Sequence, residues 1–466
     1  MENCDVFVMG AGPGGYPAAI RAAQRGLSVV VAERTEVGGT CLNWGCIPTK
    51  ALVASAEALH AVKTAANFGV ELPEGLTPDL NWPKAIARKD AVVAKLTGGI
   101  AQLFKAHGVK LIRGEAKFTS KNTAEINTAD GKIEVEFKNA IIATGSESAR
   151  PRFIPFDDEK IVESKTFLSQ TTLPSSIIIV GGGVVGCEFA SILANAGVKV
   201  TIVEMLDRLL PLEDAEISKH MLRAFKKRGV TVMLGIGISD ISTTPDGVTA
   251  KVGEQTISAE RMLVAIGRAL NTQGIGLEEI GVSTERGKVL IDDYLRTSVP
   301  NIYAIGDITG KILLAHVATA QGLIAAENCA GKNLTCDLEV VPSCIFTVPE
   351  IASVGLTEAQ AVEKGFTVKT AQFPMPALGK AQAMGETEGF YRLIADATSD
   401  QLLGAQIMGA HASDMIAELA LAIANKNTVT ELGNVIHAHP TLNEGVMEAA
   451  HAVHGLCIHQ APPRQH

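Results

Sequence analysis

A glycine-rich turn set between two apolar strands occurs twice in this chain. The first copy, CDVFVMGAGPGGYPAAIRAAQRGLSVVVAER, reads as strand, turn, helix and strand. Gly10, Gly12 and Gly15 give the spacing G-x-G-x-x-G, and the second strand ends at Glu33. The second copy, SSIIIVGGGVVGCEFASILANAGVKVTIVEM, repeats the pattern with Gly181, Gly183, Gly186 and Glu204. Glycines at these positions allow a tight turn and let a pyrophosphate approach the backbone at a helix N-terminus. An acid at the end of the second strand can then hold a ribose diol. A lone G-x-G-x-x-G says little, but the full strand–turn–helix–strand context in both copies predicts two dinucleotide sites, one for a flavin and one for a nicotinamide. Glu204 favours NAD over NADP because its carboxylate would repel a 2′-phosphate. Arg208 lies nearby, but Met205 and Leu206 offer no phosphate anchor.

Three more apolar strands stop at glycine: KNAIIATGS (Lys138 to Ser146), ERMLVAIGR (Glu260 to Arg268) and PNIYAIGD (Pro300 to Asp307). Such endings fit the carboxyl edges of sheets, where cofactors bind. Asp307 is placed to bond a cofactor hydroxyl, although Asp is also an ordinary turn residue.

The chain has 466 residues, enough for two to four domains. Its net charge is −9 with basic residues scattered, which argues against nucleic acid. The apolar runs fall short of a membrane span. The first strand begins almost at residue 1, so the expected location is cytoplasmic, or an organellar matrix if this is a mature form.

Eight cysteines in so long a chain are too few for a disulfide scaffold. Two of them, Cys41 and Cys46, sit close together in GGTCLNWGCIPTK. The spacing C-x₄-C lacks a second pair at metal-ligand spacing. In a regular helix, residues five apart have Cα atoms about 8.6 Å apart, whereas a disulfide needs roughly 4.4–6.8 Å. A bridge therefore requires a distorted segment, for which Gly45 and Pro48 are suited. A pair held in this way would be readily reduced, and the pair reads as redox-active. HAVHGLC brings His451, His454 and Cys457 to three-residue spacing, but Gly455 is expected to end that helix first, so no metal is expected there. The remaining cysteines read as buried or incidental.

GGTCLNWGCIPTK resembles the active-site segment of the flavin-dependent pyridine nucleotide-disulfide oxidoreductases. The resemblance runs through the chain: both glycine units, RKDAVVAKLTGGIAQLFKAHGVKLIRGEAKF, YLRTSVPNIYAIGD, FTVPEIASVGLTEAQA, GETEGFYRLIAD and HAHPTLNE match in order. It implies an α/β fold with two Rossmann-like domains. FAD is expected at 1–149 and NAD at 150–268, with a central domain at 269–339 completing the FAD site. A C-terminal α+β dimerisation domain is expected at 340–466. Within the last of these, APPRQH reads as a loose tail.

The same resemblance assigns roles. Glu33 would hold the FAD ribose and Asp307 the ribitol chain. Ala116, Thr144 and Gly145 would line the FAD site, and the backbone at Ala315 would reach the ring system. NAD would lie on Gly181 to Gly186 and Glu204, with Gly267 and Arg268 nearby. Cys46 would face the flavin, and Cys41 would exchange with substrate. Lys50 and Glu188 would pair beside the flavin, where a cation stabilises a thiolate. His439, oriented by Glu444, would be the acid–base catalyst, reaching the cysteines from the other subunit of a homodimer; His437 is the less favoured position. The reaction implied is oxidation of protein-bound dihydrolipoamide to lipoamide with reduction of NAD⁺. The expected partners are the lipoyl domains of a 2-oxoacid dehydrogenase or glycine cleavage complex. The alternative is a related NAD(P)H-dependent disulfide or mercuric-ion reductase. A flavoprotein with dead catalysis would have lost Cys41, Cys46 or His439, and all three are present. AHVATAQG (Ala315 to Gly322), Trp44 and Thr49 depart from the usual family pattern.

Overall fold

A computed structural model describes residues 1–461; the rest of the APPRQH segment lies outside the described residues. Strand β1 (Glu2–Met9) leads through the first glycine turn into helix α1 (Gly15–Gln24) and strand β2 (Val29–Glu33). All five β2 residues are buried, which suits a parallel strand covered on both faces. Helices α2 (Gly39–Trp44), α3 (Cys46–Thr64) and α4 (Trp82–Ala106) follow. Strands β3 (Lys110–Arg113), β4 (Glu115–Phe118), β5 (Thr123–Thr128) and β6 (Gly131–Ile142) complete this part of the sheet. The strand order is β3-β2-β1-β6-β5-β4.

Residues 269–339 return to this first unit. The strand Ile302–Ala304 pairs in parallel with the end of β6. The helix Ala315–Cys329 is tied to α1, because its Glu327 accepts from Arg21 and Arg25 at 2.6–2.9 Å. Asp307, at the end of that added strand, is thereby brought to the same sheet edge as Gly10.

The second unit repeats the plan as a five-stranded parallel sheet. Its order is Thr231–Met233, Lys199–Val203, Ser176–Val180, Arg261–Val264, Ile161–Glu163. A three-stranded antiparallel sheet over residues 238–259 packs beside it. Short strands Ser146–Ser148 and Arg268–Leu270 pair antiparallel where the chain crosses between the two units.

From Ser343 onward the chain forms a five-stranded antiparallel sheet, with the helices Ala412–Ala424 and Glu444–Val453 in its core. This domain is fastened to the second unit. Arg392 bonds Asp214 at 2.6 Å and also pairs with Glu358, and Ser353 Oγ donates to Glu213 at 2.5 Å. One hydrophobic cluster joins Leu52 of α3 and Trp82 of α4 to Phe189, Ile345 and Phe390, so three parts of the chain meet behind the cysteine segment.

Candidate active site

The two glycine turns superimpose in their chemistry. Gly10 and Gly181 have φ +103° and +111°, and a Cβ on either would strike the carbonyl of Ala143 or Ala265 at 2.5 or 2.4 Å. A Cβ on Gly15 or Gly186 would sit 1.9 Å from the carbonyl oxygen of Gly10 or Gly181. Glycine is therefore required by backbone contact at the first and third positions of each motif. Over Gly183 the space is open, and a Cβ on Gly12 would meet only Gly39 Cα, at 3.8 Å. The strand-end acids are held alike. Glu33 accepts from the amides of Ala11 and Thr35, each at 2.8 Å; Glu204 accepts from Gly182 at 2.6 Å and Leu206 at 2.8 Å. Among the described residues neither carboxylate has a cationic partner. Open glycine turns beside uncompensated carboxylates fit two dinucleotides with free ribose diols. At the second site Arg208 donates to the Pro211 carbonyl at 2.8 Å rather than facing Glu204, while Met205 and Leu206 are exposed.

The other expected FAD-site residues gather at the edge of the first sheet. Thr144 and Asn271 exchange reciprocal 2.9 Å bonds, and the Asn271 amide donates to the Gly145 carbonyl. Ser146 Oγ donates to Asp307 and receives Arg268 Nε at 2.6 Å. The Arg268 guanidinium, expected beside the nicotinamide nucleotide, thus turns toward Asp307 at 3.6 Å and Thr40 at 3.5 Å. A cavity of about 490 Å³ opens beside Arg34, Arg113, Gly114 and Asn127, and Ala116 lies just past its lining in β4. Ala315 is the first residue of its helix, whose unpaired N–H groups point out of that end. Ser146, Thr40 and Asn271 had no role in the sequence reading. Ser146 and Thr40 stand inside quoted motifs, but only long-range contacts reveal what they touch.

The cysteines flank the break between α2 and α3. Gly45 has φ −139° and ψ −112°, and a Cβ there would meet the Thr40 carbonyl at 2.8 Å and Cys41 Cα at 3.3 Å. This fold-back supplies the distortion that the spacing demanded. Pro48 lies within the first turn of α3, where its missing N–H costs no helical bond. Both residues are present as thiols, half-buried.

Their chemistry is unequal. The hydrogen bond from the Cys41 thiol lowers the Cys46 pKa to about 7; burial opposes this, Lys50 supports it and Glu188 opposes it. Cys46 is also the first residue of a 19-residue helix, where the helix dipole favours an anion. Cys41 shifts the other way, raised first by the same hydrogen bond and then by burial. Lys50, one turn beyond Cys46 on α3, donates to both oxygens of Glu188 at 2.8 and 2.9 Å. Glu188 is buried in the helix Val184–Asn195 of the second unit, so this pair ties the cysteine helix to that unit.

His439 Nδ1 and Glu444 Oε1 lie 2.8 Å apart. Burial pushes the Glu444 carboxyl up, but the Thr441 amide and His439 outweigh it and hold the group below its ordinary value. An ionised Glu444 can only accept, so His439 Nδ1 donates and Nε2 is the ring nitrogen left for another partner. The ring is 76% exposed, aimed off the surface of its own chain. His437 bonds Glu418 at 3.0 Å and the Val435 carbonyl at 2.8 Å, which occupies both of its nitrogens. In HAVHGLC the residues separate: His454 faces Asp400, and Cys457 donates to Glu448 at 2.9 Å. The helix ends at Val453, and Gly455 follows with φ +72°.

Comparison with known proteins agrees with this geometry. The family described as "Pyridine nucleotide-disulphide oxidoreductase" matches residues 4–322, and its dimerisation domain matches residues 341–450. The dihydrolipoyl dehydrogenase of Bacillus subtilis is 44% identical over 98% of this chain and 99% of its own. That of Chlamydia muridarum is 43% identical over 100% of both chains. Among solved structures, LpdA of Mycobacterium tuberculosis aligns with TM-score 0.89 at 28% identity, covering 97% of this chain and 99% of its own. A copper(II) complex of the HOCl-induced flavoprotein disulfide reductase RclA of Escherichia coli aligns with TM-score 0.88 at 28% identity, covering 97% and 99%.

Proposed function

The chain belongs to the pyridine nucleotide-disulphide oxidoreductase family, and on that premise we propose the residues by which it oxidises dihydrolipoamide to lipoamide and reduces NAD⁺ to NADH. The observation that carries the reading is the unequal thiol pair, Cys46 lowered and Cys41 raised, beside the Lys50–Glu188 pair and between two dinucleotide cradles. Bound FAD would supply the two-electron carrier between the cysteines and the nicotinamide, held by Glu33, Ser146, Asp307 and the turn at Gly10.

In the oxidised enzyme Cys41 and Cys46 share a disulfide. His439 Nε2 takes a proton from the substrate dithiol, and the thiolate attacks Cys41 Sγ. The S–S bond breaks and Cys46 leaves as the thiolate that its surroundings favour. His439 gives the proton it holds to the departing Cys41 sulfur and takes the proton of the second substrate thiol, whose sulfur attacks the mixed disulfide at the substrate sulfur; lipoamide is released, Cys41 is left as a thiol and His439 protonated. The electron pair and one proton reach NAD⁺ as a hydride equivalent, the other proton leaves to solvent, and the disulfide is restored. Glu444 keeps His439 in the tautomer this cycle needs.

The chain carries the family's dimerisation domain and forms a homodimer. We assign His439 of the partner subunit to the cysteines of each site. Lipoyl domains of a 2-oxoacid dehydrogenase or glycine cleavage complex are the proposed donors of substrate. No helix of the described residues is long and apolar enough to cross a membrane. A mercuric-ion reductase is disfavoured because Cys457 is engaged with Glu448 and has no second cysteine beside it.

The test is NADH formation from dihydrolipoamide, run with NAD⁺ and NADP⁺ side by side. Turnover with NAD⁺ and little with NADP⁺ is expected. A yellow protein whose cysteines reduce with NADH, but which leaves dihydrolipoamide untouched, would sink the substrate assignment.

A further inference from the structure

We propose that Phe346, brought by the interface domain of the same chain, is a positioning residue of the redox centre: its amide and its ring together hold the Lys50–Glu188 pair against Cys46. The proposal rests on the reading of Cys46 as the flavin-side thiol. Glu188 is 5% exposed, and such a carboxylate needs several donors to stay ionised. Lys50 supplies bonds to both oxygens, and the Phe346 amide donates a third, to Oε1 at 3.0 Å. The same residue then acts on the other partner. Lys50 Nζ lies 4.5 Å from the centroid of the Phe346 ring, well inside cation–π range. Carboxylate and ammonium are therefore gripped by one residue through two different groups.

Phe346 is itself well anchored. The strand before it, Ser343–Ile345, pairs with Ile351–Gly355, and Ser343 Oγ reaches Glu213 at 3.5 Å. Two residues after it, the Val348 amide donates to Ser191 Oγ at 3.0 Å. Ser191 lies three residues beyond Glu188 on the helix Val184–Asn195, so the segment is stitched to that helix at two places. A lysine stem has many rotamers and loses substantial entropy when fixed. With its side chain 28% exposed, Lys50 has solvent available as an alternative to its position near Cys46. A phenyl ring fixes the ammonium without adding a titrating group of its own.

The field at Cys46 then depends on Phe346. The charged and titratable groups that face Cys46 are Cys41 from α2, Lys50 from its own helix and Glu188 from the second unit; in the dimer, His439 of the partner subunit joins them. Releasing Lys50 toward solvent weakens the one cation in this set, so the Cys46 thiol should ionise at higher pH.

The experiment uses the FAD-loaded dimer carrying Cys41→Ser, which leaves Cys46 as the single thiol of the motif. The rate of Cys46 alkylation by iodoacetamide is followed against pH by mass spectrometry of its peptide. Adding Phe346→Leu should raise the half-maximal pH by roughly half to one unit. Phe346→Tyr, which keeps an aromatic face, should titrate with the parent. Phe346→Met, similar in bulk but without a π face, should follow Leu and serves if the Leu variant fails to load FAD. Leu or Met profiles that overlay the parent would overturn the proposal. Dihydrolipoamide turnover is measured in parallel with Cys41 intact. No turnover together with the pH shift retires the substrate and keeps the role of Phe346. Normal turnover without a shift retires Phe346 alone.

Discussion

At the scale of single residues, the cysteine pair works because two identical side chains are made unequal. Cys46 takes a hydrogen bond, a helix N-terminus and a lysine one turn away; Cys41 donates that bond and is left protonated. Replacing Lys50 with Met removes the cation but not the other two contributions. The midpoint for Cys46 ionisation, about 7 with the lysine present, should then move up by about one unit, since a nearby opposite charge favours the ionised form. A midpoint that stays in place in an alkylation profile would mean that Lys50 does not act on the thiol. Gly45 permits a different test. Its Cβ would meet the Thr40 carbonyl at 2.8 Å, so Gly45→Ala must push the two cysteine-bearing turns apart. We expect about 1–3 kcal/mol of lost stability and slower formation of the Cys41–Cys46 disulfide. Thermal melting and thiol counting after air oxidation would measure both.

At the scale of elements, the two glycine turns are near-copies with separate tasks, which makes them separable. Alanine at Gly15 or Gly186 would place a methyl 1.9 Å from a carbonyl oxygen, which the turn can relieve only by opening. Gly15→Ala should yield a protein that purifies with little flavin colour. Gly186→Ala should stay yellow and still exchange its thiols with dihydrolipoamide, but need on the order of tenfold more NAD⁺ for half-maximal rate. The opposite pattern would exchange the two cofactor assignments. Glu204 adds a finer test at the same element. Glu204→Arg should erode the preference for NAD⁺ over NADP⁺, and an unchanged ratio would count against its ribose role. Arg208 already faces a backbone carbonyl, so among the described residues no cation pairs with Glu204.

At the scale of the whole molecule, the exposed His439 is the residue proposed to complete the site of the other subunit. Ile436, three residues before His439, is 96% exposed in the single chain, and Val435 beside it is also uncovered. If each site takes His439 from the partner subunit, two dead variants can rescue one another. Cys41→Ser and His439→Gln homodimers should each be nearly inactive. Unfolded and reassembled together in equal amounts, they should recover about a quarter of the wild-type rate, because half the dimers are mixed and each holds one intact site. No recovery would place histidine and cysteine in the same chain.

The sequence by itself determined whatever depends on near neighbours along the chain. The glycine spacings, the closing acids Glu33 and Glu204, and the fold-back at Gly45 are set by backbone sterics over a few residues, and they were legible. His439 and Glu444 came from the resemblance rather than from spacing, and the structure adds their 2.8 Å contact. Only the tertiary structure decided how remote segments complete these local pieces. Arg268 reaches Ser146 and Asp307 across the seam between the units, and Asn271 locks Thr144. Phe346 arrives from the interface domain, 296 residues beyond Lys50, to brace the ion pair. No local periodicity encodes such meetings, because they depend on how three packed cores bring their edges together. The unequal titration of Cys41 and Cys46 belongs to the same class: it arises from burial and neighbouring charge, which exist only once the chain has folded.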